Sequence, residues 1–183
     1  DERQPVKRSH QVPNAVAPVL LAGYFNHELC EIRLYNEVSS GYLEVYQPDL
    51  LAWPDMLILT GLSAAFDRLL HLTAYARSAN ANVIVAAGGH AVRSLPRYSK
   101  QFFDYTCLQD VEQIADVITD AFGPGYVSRR FNPRYDLAYW IGLLGYAEST
   151  RNCNFSCGFC SLTGAGRKYE VAPDDYLEAQ LEN

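Results

Sequence analysis

The chain has 183 residues, of which 49 % are hydrophobic and 20 % charged, and its formal net charge is −6. This is a globular composition, with core enough for one full domain and part of a second, and its acidic balance excludes nucleic acid as a general partner. The longest apolar run, Ala15–Tyr24, is interrupted by Pro18 and falls short of the ~20 residues of a membrane span, so no transmembrane segment is expected.

The start, Asp1–Gln4, is polar and lacks the apolar core of a signal peptide. From Asn14 to Tyr24 a short apolar helix is expected, with Asn14 as its N-cap. Cys30–Tyr35 alternates in polarity and reads as a strand, whereas Ser39–Trp53 has no decisive period. Asp55–Thr60 is a short apolar run of buried-strand type that ends at Gly61. Leu62, Ala65, Phe66, Leu69, Leu72 and Ala76 then fall on one face of a 3.6-residue period, predicting a helix that ends near Asn80.

Asn82–Ala87 is the next strand, closed by Gly88-Gly89. A weaker helical stretch, Ala91–Gln101, is interrupted at Pro96, and Phe103–Leu108 reads as a further strand. Asp110 and Gln113 form a capping-box-like pair opening a helix whose apolar face is Val111, Ile114, Ala115, Ile118 and Phe122, stopped by Gly123-Pro124. Strands alternating with helices imply a parallel sheet covered on both faces, so residues 1–123 are expected to be a Rossmann-like or flavodoxin-like α/β domain. Its usual first strand is not visible. Residues 124–140 read as a linker, in which Arg129, Arg130 and Arg134 decorate a solvated surface, and residues 141–183 as the start of a second unit. There Leu143–Glu148 is a candidate strand, and Pro173-Asp174-Asp175 opens a last helix with acidic residues in its first turn.

Five cysteines are present, and Cys153, Cys157 and Cys160 crowd into one short stretch while Cys30 and Cys107 stand alone. An odd number with this clustering is no disulfide framework and fits a reducing cytoplasm. On a helix the three clustered thiols would share a face, but Asn152, Asn154, Ser156 and Gly158 are poor helix formers and favour a loop. A structural zinc site would call for a fourth Cys or His nearby, and no His follows His90. A disulfide pair would leave one thiol over. The remaining reading is ligation of an iron–sulfur cluster by three thiolates, which leaves one iron open.

Cys153-x-x-x-Cys157-x-x-Cys160, with the aromatic Phe159 before the last Cys, resembles the signature of the radical S-adenosylmethionine (SAM) superfamily. The resemblance covers roughly residues 140–183. It implies a 4Fe-4S cluster held by Cys153, Cys157 and Cys160, with SAM on the open iron. Reductive cleavage of SAM would then yield a radical that abstracts hydrogen from a small organic substrate, with electrons supplied by a donor such as flavodoxin or ferredoxin. It also implies the beginning of a partial (β/α) barrel, truncated in this chain, with the cluster loop after its first strand. Only 23 residues follow Cys160, too few for a barrel of ~200 residues, so the chain reads as a fragment that is inactive alone.

The front region resembles the cobalamin-binding domain that precedes the barrel in one radical SAM class. The residues that carry this are Pro54–Ser63, Ala87–His90 followed by Leu95-Pro96, and Phe103–Gln113. In type and order, Thr60-Gly61-Leu62 and Gly88-Gly89 match the turns that touch the cofactor in such domains; Ser63 is counted with the first turn, and His90, after the second, reads either as a turn residue or as a cofactor contact. Ligands sit at the carboxyl ends of parallel strands, and paired glycines admit close backbone approach. The family's Asp-x-His-x-x-Gly loop, whose His coordinates cobalt, is absent. With cobalamin the expected reaction is C-methylation, rearrangement or cyclisation. The alternatives are a radical SAM chain that binds no cobalamin, and a radical SAM-derived chain serving as a non-catalytic binding or structural subunit.

The other candidates carry less. His10 and His27 read as solvated, His71 as a surface residue, and Cys30 and Cys107 as small hydrophobes in strands. Asp110 and Glu112 are a capping residue and its neighbour rather than an acid–base pair.

Overall fold

The computed structural model describes residues 15–141, 146–160 and 168–182. Its centre is a three-stranded parallel sheet in the order β1 (Met56–Thr60), β2 (Ile84–Gly88), β3 (Tyr105–Thr106). Met56 stands beside Ile84 and Thr60 beside Gly88, while Ala86 and Ala87 stand beside Tyr105 and Thr106. The mixed α/β class and the parallel sheet accord with the alternation of apolar runs and helical periods in the sequence.

Side chains alternate across the sheet as the pleat requires. Leu57, Leu59, Val85 and Ala87 enter one core with Phe66, Leu69, Leu72 and Ala76 of helix α5 (Phe66–Ala79) and with Ala91 and Val92 of α6 (His90–Ser94). Met56, Ile58 and Ala86 face the opposite side and pack on Ile114, Val117 and Ile118 of α8 (Gln113–Phe122) and on Leu21 of α1 (Ala17–Ala22). Neither face of the sheet is left bare.

Ser39–Trp53, which has no period of its own, belongs with three single-turn helices, α2 (Glu37–Ser40), α3 (Leu43–Tyr46) and α4 (Asp49–Ala52). The Arg68 guanidinium of α5 holds the first two down: its Nε donates to Glu37 Oε2 at 2.8 Å and its Nη1 to Glu44 Oε1 at 3.1 Å. Pro96 ends the hydrogen bonding of α6 and opens a separate short helix, α7 (Pro96–Ser99).

Four local expectations are corrected. Cys30–Tyr35 forms no strand: alternation supplies a face, but among the described residues no partner strand pairs with it. Helix α1 begins at Ala17, with Val16 in the cap position and no side-chain cap, and Asn14 lies outside the described residues. Leu62 does not join the helix face; it is 69 % exposed, since a 3-10 turn over Ser63–Ala65 precedes α5 and turns it outward. Helix α8 begins at Gln113 rather than Asp110. The Gln113 side chain accepts from the Gln109 amide at 2.9 Å, and Asp110 pairs with Arg93 at 3.0 Å.

The stretch expected as a linker is laid back along α1. Asn26 N–H donates to Tyr126 O at 2.8 Å, Ser128 N–H to Tyr24 O at 2.8 Å and Arg134 N–H to Val19 O at 3.2 Å. Ala138 and Ile141 join Val19 in a third buried cluster. A Cβ on Gly23 would stand 2.7 Å from Asn132 O, so the two chain segments meet backbone to backbone at a glycine. Arg129 and Arg130 are solvated as expected, but the Arg134 side chain is only 23 % exposed and is bound to Asp136 at 2.8 Å.

Residues 143–145 of the candidate strand Leu143–Glu148 lie outside the described residues, and Tyr146–Ser149 are irregular. Beyond them β4 (Thr150–Arg151) pairs antiparallel with β5 (Glu170–Val171), and helix α9 (Asp174–Leu181) carries Asp174 and Asp175 in its first turn. After residue 141 the described residues contain no parallel β/α unit. Among them, no helix is long and apolar enough to cross a membrane.

Candidate functional site

At the carboxyl edge of the parallel sheet the strands end in Thr60, Gly88 and, just past β3, Cys107. These ends form one wall of a cavity of about 500 Å³. This is the edge at which open α/β sheets bind ligands. Ala17, Leu20 and Leu21 of α1 close a second side, and Tyr146, Ala147, Glu148 and Gln180 a third. Ile58, Val111 and Ile114 add to an apolar lining, and Arg93, Gln109 and Asp110 supply a polar rim. A volume in this range suits a nucleoside-sized group, while a whole cobalamin would extend well beyond it.

The expected cofactor residues divide here. Thr60, Gly88, Gly89 and His90 line the cavity. Leu62 and Ser63 do not: Leu62 points to solvent, and Ser63 Oγ lies 3.1 Å from Ser94 Oγ on the surface beside α6. His90 is exposed at the cavity mouth.

The glycines have an internal cause. Gly89 has φ +81° and ψ −171°, a region that L side chains avoid, and a Cβ there would stand 2.8 Å from Thr60 Oγ1 and 3.0 Å from Gly61 O. A Cβ on Gly88 would stand 3.1 Å from Cys107 Cβ. The turn after β2 needs Gly89 to pass β1 whatever occupies the cavity, while a Cβ at Gly88 would only crowd Cys107.

Most of the lining carries no signal in the sequence. Cys107, a small hydrophobe by its strand position, borders the cavity, and burial pushes its thiol up from the ordinary value against the lowering influence of Arg93. Cys30 likewise has its thiol raised by burial, in an irregular segment rather than a strand. Arg93 donates to Gln109 O and to Asp110 Oδ1, so one guanidinium ties α6 to the loop before α8 and shapes the rim. Its place in a weak helical stretch does not mark it out. Tyr146, Glu148 and Gln180 arrive from the far end of the chain. Glu148 N–H donates to Gln180 Oε1 at 2.8 Å, and Gln180 is 5 % exposed, which locks that wall.

Behind it lies a charged and aromatic clasp. Arg151 Nε donates to Glu148 Oε2 at 2.8 Å, and Arg151 also pairs with Glu112 at the head of α8. Its guanidinium lies 4.7 Å over the Tyr176 ring, and Tyr176 donates to Glu148 Oε2 at 3.1 Å. Tyr176 in turn stacks on Phe131 at 4.7 Å, and Phe131 meets Tyr24 at 4.8 Å. Burial first, and then neighbouring acidic groups, raise both the Tyr24 and Tyr176 phenols well above the ordinary range. Glu112, by sequence only the neighbour of a capping residue, is an anchor of this clasp.

The cysteine segment adjoins the clasp. Asn152–Cys160 is a loop, as its Asn, Ser and Gly content requires, with Cys160 N–H donating to Cys157 O at 3.0 Å across a tight turn. Cys153 is exposed, Cys157 and Cys160 are half-buried, and all three are free thiols. Phe159 is 93 % exposed and does not line the cavity. Among the described residues, no three His, Cys, Asp or Glu side chains are gathered to hold a metal ion. The structure therefore puts the three cysteines in one accessible loop without converging them. The donor set itself fits a soft, thiolate-preferring centre with one open position: three free thiols, with no His later in the sequence than His90.

No protein-family model, curated protein or solved structure matches this chain.

Proposed function

We propose that the chain is the cofactor-binding front and cysteine loop of a radical SAM iron–sulfur enzyme. The observation that carries this reading is the spacing Cys153-x-x-x-Cys157-x-x-Cys160 in an open, non-helical loop that comes after the wall of the sheet-edge cavity. Cys153, Cys157 and Cys160 would hold a 4Fe-4S cluster, and the continuation of the chain would form a partial (β/α) barrel. When bound, such a cluster supplies the electron that cleaves SAM and starts radical chemistry on a small organic substrate, re-reduced by a flavodoxin- or ferredoxin-like donor.

The chain's own residues prepare the site. Leu20, Leu21, Ile58, Val111 and Ile114 exclude water from the cavity floor, and Arg93, Gln109, Glu148 and Gln180 offer polar contacts at its edge. An aromatic ring with polar attachments suits that lining. In this reading the guest is a cobalamin nucleotide tail, with the rest of the cofactor outside the cavity, and the reaction is C-methylation, rearrangement or cyclisation. The internal packing of Gly89 favours a second reading, a radical SAM chain without cobalamin, because its glycine character needs no cofactor to explain it.

Anaerobic iron and sulfide reconstitution tests the first part. The protein is expected to take up a four-iron cluster that Cys157→Ala loses, while Cys30→Ala and Cys107→Ala retain it. Unchanged iron content in Cys157→Ala would overturn the assignment. Equilibrium dialysis against cobalamin separates the two readings: measurable retention supports the first, and none at saturating cofactor supports the second.

A further inference from the structure

Asn152 is the non-glycine residue with positive φ among the described residues, at +60°. Left-handed backbone is costly for residues with a Cβ, and Asn is among the few that tolerate it. It stands immediately before Cys153, at the point where β4 ends. Its Nδ2 donates to Lys168 O at 2.9 Å, across the mouth of the loop that carries all three clustered thiols. Below it, Thr150 pairs with Val171 and Arg151 with Glu170, and Ala172 N–H donates to Ser149 O at 3.0 Å. The cysteine loop is therefore closed at its base by a short antiparallel neck, and Asn152 ties its mouth.

We propose that Asn152 is a positioning residue of the cysteine loop: its left-handed backbone turns the chain out of the neck, and its amide fixes the loop mouth, so that Cys153, Cys157 and Cys160 can close on one soft, thiolate-binding centre. The inference rests on the three-thiol reading above, but not on the centre being iron. A backbone reversal at this position sets the direction in which Cys153 leaves the neck. The other two thiols are already related by the Cys157–Cys160 turn, so the placement of Cys153 against that pair is the remaining variable. A residue that rejects positive φ would swing Cys153 away while leaving every thiol in the chain. Glycine accepts positive φ and would keep the backbone but lose the amide tie.

The test uses trivalent arsenite, which binds three thiolates without iron, sulfide or an electron. Wild type, Asn152→Gly, Asn152→Asp and Asn152→Val are titrated under reducing conditions, with protection of thiols from alkylation as the count, and circular dichroism checks the fold. Wild type is expected to protect Cys153, Cys157 and Cys160 together. Asn152→Gly should bind within about threefold of wild type, since one exposed hydrogen bond is lost. Asn152→Asp, which lacks the donor, should fall between, and Asn152→Val should bind at least about tenfold more weakly because of its φ. Should Asn152→Val fail to fold, Asn152→Ala carries a smaller penalty of the same sign and takes its place.

Wild-type affinity in the Val variant, or equal weakening in the Gly and Val variants, would overturn the proposal, as would failure of the wild type to protect three thiols. Parallel iron reconstitution separates the two ideas. The arsenite pattern without iron uptake supports the positioning role and sinks the cluster. Iron uptake that is indifferent to residue 152 does the reverse.

Discussion

Replacing Gly89 by Ala should destabilise the protein strongly with no cofactor present. The new Cβ would stand 2.8 Å from Thr60 Oγ1, 3.0 Å from Gly61 O and 3.2 Å from Gly61 N, so two of its three nearest neighbours are backbone atoms of the turn after β1. They cannot swing aside as a side-chain tip would. The φ of +81° adds a conformational cost of about 1–3 kcal/mol, and relieving the overlap costs a similar amount. Together these give about 3 kcal/mol, or a fall in melting temperature of about 6–12 °C for a chain of this size. Gly88→Ala is the control: its Cβ would meet Cys107 Cβ at 3.1 Å and Cys107 O at 3.4 Å with no positive φ, so about 1 kcal/mol is expected. Urea unfolding of the cofactor-free protein, monitored by far-ultraviolet circular dichroism, measures both. A Gly89→Ala protein as stable as wild type would refute the internal explanation and return the paired glycines to a cofactor-contact role.

Arg151→Met should loosen the wall of the cavity formed by α9. Arg151 is 15 % exposed, but Glu112 and Glu148 are 45 % and 36 % exposed, so the loss lies between that of a surface pair and a buried one, about 2 kcal/mol. Hydrogen exchange of the α9 amides should then accelerate about 30-fold, and unchanged protection would show that the clasp does not hold the helix. Tyr24 and Tyr176 predict an alkaline limb. Their raised pKa values mean that the fold prefers the neutral phenols, so their stabilising contribution is complete below the ordinary value of 10.0 and is lost as pH rises past it. A Tyr24→Phe/Tyr176→Phe protein keeps both rings, and its unfolding midpoint should fall less than that of wild type between about pH 8 and about pH 11. Parallel curves for the two proteins would contradict this.

The sheet-edge half of the site is legible in the sequence because its signals are short-ranged. Met56–Thr60 and Ile84–Gly88 announce themselves by apolar runs ending in glycine, and Phe66, Leu69, Leu72 and Ala76 by their helical period. Each of these is decided by residues a few positions apart. The loop character of Asn152–Cys160 is equally local, since Asn, Ser and Gly resist a helix whatever surrounds them.

Other features depend on partners distant in the chain. Cys30–Tyr35 alternates like a strand, but a strand exists only where another edge offers hydrogen bonds, and among the described residues none pairs with it. The segment after Gly123 has the composition of a tether and becomes structure because Gly23 lets Asn132 approach α1. Ala17 and Gln180 face one cavity across nearly the whole length of the chain, and no periodicity relates them. Composition and local spacing determined the parallel sheet, its glycine-closed edge and the three-thiol loop. The cavity itself, its rim at Arg93 and the clasp around Arg151 were decided only when folding brought separate segments together, because a contact between two segments is a property of both, and neither carries it alone.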